Sequence, residues 1–309
     1  MNYDVNVRER FMINLKKMDT ERVNSNSRNL SSLSTEEAVK LFNAEDFKAV
    51  ECIKPEIGEI AEVIEMASDS LNNEGRIIYL GAGTSGRLGL LDAVECPPTF
   101  GVDYNTVVGV IAGGKDAFVK AKEGAEDSED EAILDLKNIS LTNNDILIGI
   151  AASGRTPYVI GGIKYAKSIG CKIAAIVCNY NSPIKEICEH TIEIVPGPEV
   201  LTGSTRLKAG TATKLVLNMI STISMVKQGK IFKNYMVDLK LSNEKLVQRG
   251  INIVMEVTNC SKEKAISKLN EAGNSVKLAI VMILLNCSLD DAKQQLIENR
   301  DNISKLLCS

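Results

Sequence analysis

The chain has 309 residues, 44% hydrophobic and 25% charged, with a net charge of −4 at pH 7. That length holds one large domain and a smaller one, and the composition is that of a soluble globular protein. The acidic balance excludes nucleic acid as the main partner, because a phosphate backbone needs a basic face. Met1-Asn2-Tyr3-Asp4 opens the chain without an apolar core behind it, so no signal peptide is expected. The longest wholly apolar run, Leu278–Leu285, falls far short of the ~20 residues of a membrane span. Eight scattered cysteines and a single histidine, His190, point to reduced thiols, no zinc site and a cytoplasmic location. With one histidine, proton chemistry falls to carboxylates.

Residues 1–50 are polar. Thr20–Ser32 reads as an extended arm that gains order only by lying on something else, such as a partner subunit. Ser34-Thr35-Glu36-Glu37 reads as a capped helix start. From 51 to 235 helices alternate with short apolar strands. Ile57–Asn72 is helical, and Ile77–Leu80 is a strand that enters a glycine-rich turn. A helix over Arg87–Val94 stops before Pro97, since a residue preceding proline leaves the helical region. Thr106–Ala112 is a strand, with Ala117–Ala125 and Asp130–Leu136 helical after it. Ile146–Ile150 is a strand, Tyr158–Ile169 a helix, and Lys172–Cys178 and Thr191–Val195 further strands. Strands this rich in Ile, Val and Leu are buried on both faces, which describes a three-layer α/β domain with a parallel sheet. Thr211–Met225 is a long apolar helix of the core or a subunit interface. Over 236–309, Asn252–Val257, Lys262–Ala272, Val276–Leu285 and Leu289–Ile297 form a small helical bundle.

Two strand-to-helix turns share a Ser-Gly-Arg core: Gly81-Ala82-Gly83-Thr84-Ser85-Gly86-Arg87 and Ala151-Ala152-Ser153-Gly154-Arg155-Thr156-Pro157. Free backbone N–H groups, hydroxyls and a helix dipole suit such turns to an anion, and two of them suit one phosphorylated ligand. The first also matches the three-glycine dinucleotide fingerprint, but no acid ends the next strand to hold a ribose. Arg155, Arg206 and Lys208 are candidates for added positive charge. Glu95, at the expected helix C-terminus, faces the negative end of the dipole, which favours its protonated form and suits a general acid. Glu126 lies in the acidic stretch Glu123–Ser128, and spacing alone reads it as a solvated face.

Leu80–Gly89, Glu95–Thr99, Glu123–Asp127, Gly149–Tyr158 and Thr202–Thr211 together resemble N-acetylmuramic acid 6-phosphate etherases, and Thr20, Glu21 and Asn24 resemble that family's N-terminal signature. The resemblance implies a sugar isomerase (SIS) fold, a homodimer, and no metal or nucleotide cofactor. It implies cleavage of a D-lactyl ether on a phosphorylated amino sugar, with Glu95 as proton donor and Glu126 as the second active-site glutamate, here the base. It places Gly83, Thr84, Ser85, Gly86, Ser153, Gly154, Arg155 and Thr156 around the substrate phosphate, with Ser204, Arg206 and Lys208 in support. An aldose–ketose isomerase and a non-catalytic sugar-phosphate sensor share the same fold. The first loses no C3 substituent, and the second has no need of the glutamates.

Overall fold

The structure, a computed structural model, describes residues 18–120 and 122–308; the polar opening Met1–Asp4 lies outside them. Five strands form one parallel sheet: β1 (Ile77–Gly81), β2 (Val107–Ile111), β3 (Ile146–Ala151), β4 (Lys172–Val177) and β5 (Thr191–Glu193). Their order is β2-β1-β3-β4-β5, so β1 has β2 on one side and β3 on the other. Ile77 pairs with both Val107 and Ile146. β1 and β3 are buried throughout. Because side chains alternate, Tyr79, Ile148 and Ile176 join the core on one face, and Leu80, Leu147 and Val177 join the core on the other.

Helices α1 (Thr35–Glu51), α2 (Ile57–Asn72), α3 (Gly83–Phe100) and α7 (Lys208–Lys227) belong to the first face. The second face carries α4 (Glu129–Asn138), α5 (Pro157–Ser168) and the short α6 (Pro183–Ile187). α1 starts on a capping box between Ser34 and Glu37, as its sequence predicts. α2 turns Ile60, Val63, Ile64 and Ala67 inward, the spacing of one helical face. α3 lies unusually close to the sheet. A Cβ on Gly89 would stand 2.8 Å from Tyr79 Cβ, and one on Gly109 would stand 2.6 Å from Leu90 Cα.

Several elements differ from their sequence reading. α3 begins at Gly83 and runs through Pro97 and Pro98 to Phe100 instead of stopping before Pro97. The prolines remove the N–H groups that Ala93 and Val94 carbonyls would accept. Burial of Cys96, Pro97 and Phe100 carries the helix past that loss, and Gly101, at φ 68°, closes it with an N–H bond to Pro97 O at 2.9 Å. Among the described residues of 117–125 no α-helix forms; 3₁₀ turns lie at Lys115–Phe118 and Ala125–Asp127. The arm is not extended, but coils into three 3₁₀ turns between Asp19 and Ser32. It also finds its support within its own chain: the Thr20 N–H donates to Asn179 Oδ1 at 3.2 Å, and Asn24 Nδ2 donates to Glu45 Oε2 at 2.8 Å.

Beyond a two-stranded hairpin, β6 (Ile231–Phe232) and β7 (Tyr235–Met236), helices α8 (Glu244–Thr258), α9 (Lys262–Glu271), α10 (Val276–Leu284), α11 (Leu289–Glu298) and α12 (Ile303–Cys308) pack around a core of their own. α8 is more than twice the predicted length, because its polar first turn, capped by Asn243, precedes the apolar stripe. Lys277, 2% exposed, donates to Asp238 and Asp301 and ties the bundle to the strand-side segment. No helix among the described residues is long and apolar enough to cross a membrane.

Candidate active site

In an open parallel sheet the ligand crevice forms beyond the carboxyl ends of the strands, where the strand order reverses. Here that point lies between β1 and β3, and each of these strands leads into one of the two Ser-Gly-Arg turns. α3 and α5 start at those turns, and neither has a side-chain cap. The first-turn N–H groups of both therefore stay open to an anion. α1, α4, α8, α9, α10 and α11 are each capped by a Ser or Asn side chain, whereas α3 and α5 share the lack of a cap with α2, α6 and α7; what sets α3 and α5 apart is that each follows a central strand through a glycine turn.

The first turn needs its glycines. A Cβ on Gly81 would stand 2.7 Å from Gly86 N, and one on Gly86 would stand 2.6 Å from Gly81 O. Gly83 sits at φ 52°. Thr84 points its methyl toward Gly210 at the start of α7, which brings the Thr202–Thr211 segment beside the turn. Ser85 and Thr84 are half-buried. In the second turn Gly154 is buried at φ 64°, and Ser153 Oγ accepts the Arg155 N–H at 3.2 Å. Beneath Gly154 lies a residue the sequence offered no signal for: Ser182 is 1% exposed, and its hydroxyl has no hydrogen-bond partner.

Glu126 sits in a cleft of about 80 Å³ together with Gly83, Arg87, Ala112 and Lys122. Glu126 is exposed, as its acidic stretch predicts; partial desolvation of its carboxyl, and then repulsion from Asp127 and Glu123, raises its pKa above the ordinary carboxylate value. Arg87 does not face the anion turn. Its guanidinium donates to Ala117 O at 2.7 Å and Phe118 O at 2.9 Å, holding the loop that leads to Glu126. Wider hollows of about 430 and 510 Å³ lie at α2, α7 and α12 and along α8, away from both glycine turns.

Glu95 is exposed on α3 and is not brought to this cleft. It lies twelve residues beyond Gly83, roughly 18 Å along the helix axis. The helix continues five residues past it, so Glu95 also lies outside the last turn, where the dipole acts, and the expected dipole effect does not apply. Arg155 and Arg206 are exposed. Lys208 is 0% exposed, and its ammonium is bonded to Glu45 Oε2 at 2.7 Å, within the fold and not toward an anion. Glu199 accepts the Lys208 and Ala209 N–H groups, both at 3.0 Å, so the N-terminus of α7 already holds a carboxylate. Ser204 is half-buried in the loop that joins Glu199 to α7.

Comparison with known proteins places the chain in a family. Residues 59–167 match the family described as glucokinase regulatory protein N-terminal SIS domain, residues 120–223 match the SIS domain, and residues 233–272 match the C-terminal lid domain of glucokinase regulatory protein. In fold the chain is similar to a protein assigned as a phosphosugar isomerase involved in capsule formation from Bacteroides fragilis NCTC 9343. The TM-score is 0.53 at 18% identity, covering 68% of this chain and 98% of that one. N-acetylmuramic acid 6-phosphate etherase of Francisella tularensis subsp. holarctica is 55% identical over 94% of this chain and 99% of its own length. Those of Bacillus mycoides and Clostridium beijerinckii are 52% and 51% identical, over 95% and 96% of this chain and 100% and 97% of their own. With a match to the SIS domain and 51–55% identity over 94–96% of its length, the chain belongs to the N-acetylmuramic acid 6-phosphate etherase family.

Proposed function

We propose that the protein cleaves the D-lactyl ether at C3 of N-acetylmuramic acid 6-phosphate, giving N-acetylglucosamine 6-phosphate and D-lactate. The observation that carries this reading is the 51–55% identity to N-acetylmuramic acid 6-phosphate etherases over 94–96% of the chain, and it is supported by the Glu126 carboxylate lining the same cleft as Gly83 at the open N-terminus of α3. An ether resists direct hydrolysis, but in the ring-opened sugar the C2 proton is acidified by the C1 aldehyde. Glu126 takes that proton, and the C3–O bond breaks as Glu95 protonates the departing lactate oxygen. Water then adds at C3 of the unsaturated aldehyde and gives its proton to Glu95, while Glu126 returns a proton to C2, so both glutamates are reset and the balance is one water consumed. The N–H groups of α3 and α5, with Thr84, Ser85, Ser153 and Thr156, hold the phosphate. The reaction belongs in the cytoplasm, in keeping with cysteines left free.

This chemistry needs two copies of the chain. The roughly 18 Å between Gly83 and Glu95 along α3 exceeds what one sugar phosphate seated at the turn spans. A single copy also offers only about 80 Å³ at the cleft, well under the ~300–1,000 Å³ of a small-molecule site. Leu91 and Val94, 38% and 50% exposed, flank Glu95 on one face of α3 and suit an isologous homodimer contact. Glu95 then acts on the sugar held by its partner.

The test is incubation of the purified protein with N-acetylmuramic acid 6-phosphate in ¹⁸O-labelled water. D-lactate release with label at sugar C3 is the expected result. Isomerisation without lactate would replace the reading with an aldose–ketose isomerase, and binding without turnover would replace it with a sensor.

A further inference from the structure

The arm carries a carboxylate that the chemistry above does not use. Thr20 is 1% exposed and exchanges two hydrogen bonds with Asn179, one from its N–H at 3.2 Å and one to its hydroxyl at 3.0 Å. Asn179 also donates to Ala152 O at 2.8 Å, at the entrance of the second Ser-Gly-Arg turn. Asn24 is 4% exposed and donates to Glu45 Oε2 at 2.8 Å and to Pro198 O at 3.1 Å. Glu21 lies between these two buried anchors, so its backbone is held on both sides. Its Oε2 stands 3.1 Å from the point a Cβ on Gly203 would occupy, and Gly203 is at φ 76°. The loop from Gly203 continues through Ser204 and Thr205 to Gly210, where the Thr205 carbonyl and the Thr84 methyl converge. Among the described residues Glu21 has no side-chain hydrogen bond or ion pair, although the arm that carries it is bonded on either side.

A half-buried carboxylate fixed at the rim of an anion site, with no partner of its own, repels the phosphate and lactyl charges and accepts only from neutral donors. We propose that Glu21 is a substrate-binding carboxylate. It accepts a hydrogen bond from an uncharged donor of the sugar, a hydroxyl or the acetamido N–H, and orients the ring relative to the phosphate held by α3 and α5. The proposal rests on the sugar-phosphate reading above. The arm is thereby a wall of the site, and its buried anchors are the means of placing one acid.

The experiment compares wild type with Glu21→Ala and Glu21→Gln. It measures KM and kcat for lactate release, the dissociation constant for N-acetylglucosamine 6-phosphate by calorimetry, inhibition by inorganic phosphate, and the thermal midpoint. In Glu21→Ala, KM and the sugar-phosphate dissociation constant are expected to rise about tenfold or more, the loss of one hydrogen bond to a charged group. Glu21→Gln, which keeps an acceptor oxygen, is expected to lie between. The phosphate inhibition constant does not weaken, since removal of Glu21 takes away only a repelling charge, and the thermal midpoint stays at its wild-type value. An unchanged sugar-phosphate dissociation constant would overturn the proposal, and so would a phosphate constant that weakened in parallel, which would mean collapse of the arm. If wild type released no lactate, the calorimetric comparison would still decide the role of Glu21.

Discussion

Glu126 and Lys208 show how one type of physics, burial of charge, yields opposite outcomes. The Glu126 carboxyl is raised by partial desolvation and by two acidic neighbours. A base acts in its ionised form, so turnover falls as pH drops through this raised value. The acidic limb of kcat/KM against pH is expected above the ordinary carboxylate range. Glu123→Gln, which removes one repelling charge, moves that limb to lower pH, whereas Glu126→Gln abolishes turnover and leaves sugar-phosphate binding, read by calorimetry, in place. For Glu45, burial alone would raise the carboxyl, but hydrogen bonds from Lys208, Lys48, Asn26 and Asn24 outweigh it and hold it at about 2. Its folded value is depressed below 4.5, so its contribution to stability is complete above that value and is lost as pH falls from 4.5 toward 2. Lys208→Met removes the buried counter-ion of Glu45, leaving the half-exposed Lys48 as its ammonium partner, and is expected to cost up to ~3–5 kcal/mol in denaturant unfolding. The double change Lys208→Met with Glu45→Leu recovers most of that, because no charge then remains buried.

At the scale of the element, the turn from β1 into α3 leaves little room for change. A methyl group at position 86 meets Gly81 O at 2.6 Å and Ile111 Cγ1 at 2.7 Å, and the backbone atom has no way to move aside. Gly86→Ala is expected to destabilise by about 1–3 kcal/mol and to weaken phosphate inhibition together with KM. Gly58, in the first turn of α2 with nothing within 4 Å of a built Cβ, serves as the control. Gly58→Ala is expected to stabilise by up to about 1 kcal/mol with unchanged kinetics. The ends of α3 show where sequence rules failed. Pro97 is a sound stop signal for an exposed helix, yet Cys96, Pro97 and Phe100 are buried, and packing outweighed the missing hydrogen bonds.

At the scale of the whole molecule, a site shared between copies makes a prediction no single chain would. Glu95→Gln and Glu126→Gln, each inactive alone, are expected to regain about a quarter of wild-type activity when mixed and allowed to exchange subunits. Half of the dimers are then mixed, and each of these holds one site with both glutamates intact. Continued inactivity of a mixture shown to contain mixed dimers would require both glutamates to act within one copy.

The sequence by itself determined the parallel α/β sheet, because runs such as Ile146–Ile150 are apolar on both faces and alternate with helical periods. It determined the two glycine-rich turns at the ends of β1 and β3, since glycine and hydroxyl residues between an apolar run and a helical period mark a strand-to-helix turn. It also determined the family, through motifs spread along the chain. Only the tertiary structure decided that Lys208 is an internal counter-ion of Glu45, that Ser182 lies unpaired beneath Gly154, and that Glu21 is held over Gly203. It alone separated Glu95 from Glu126 by the length of a helix that the prolines do not interrupt. The reason is one of range. Periodicity and turn chemistry act over a few residues and can be read along the chain. A buried charge is set by partners more than a hundred residues away, as Lys208 is by Glu45, and no local pattern encodes that distance.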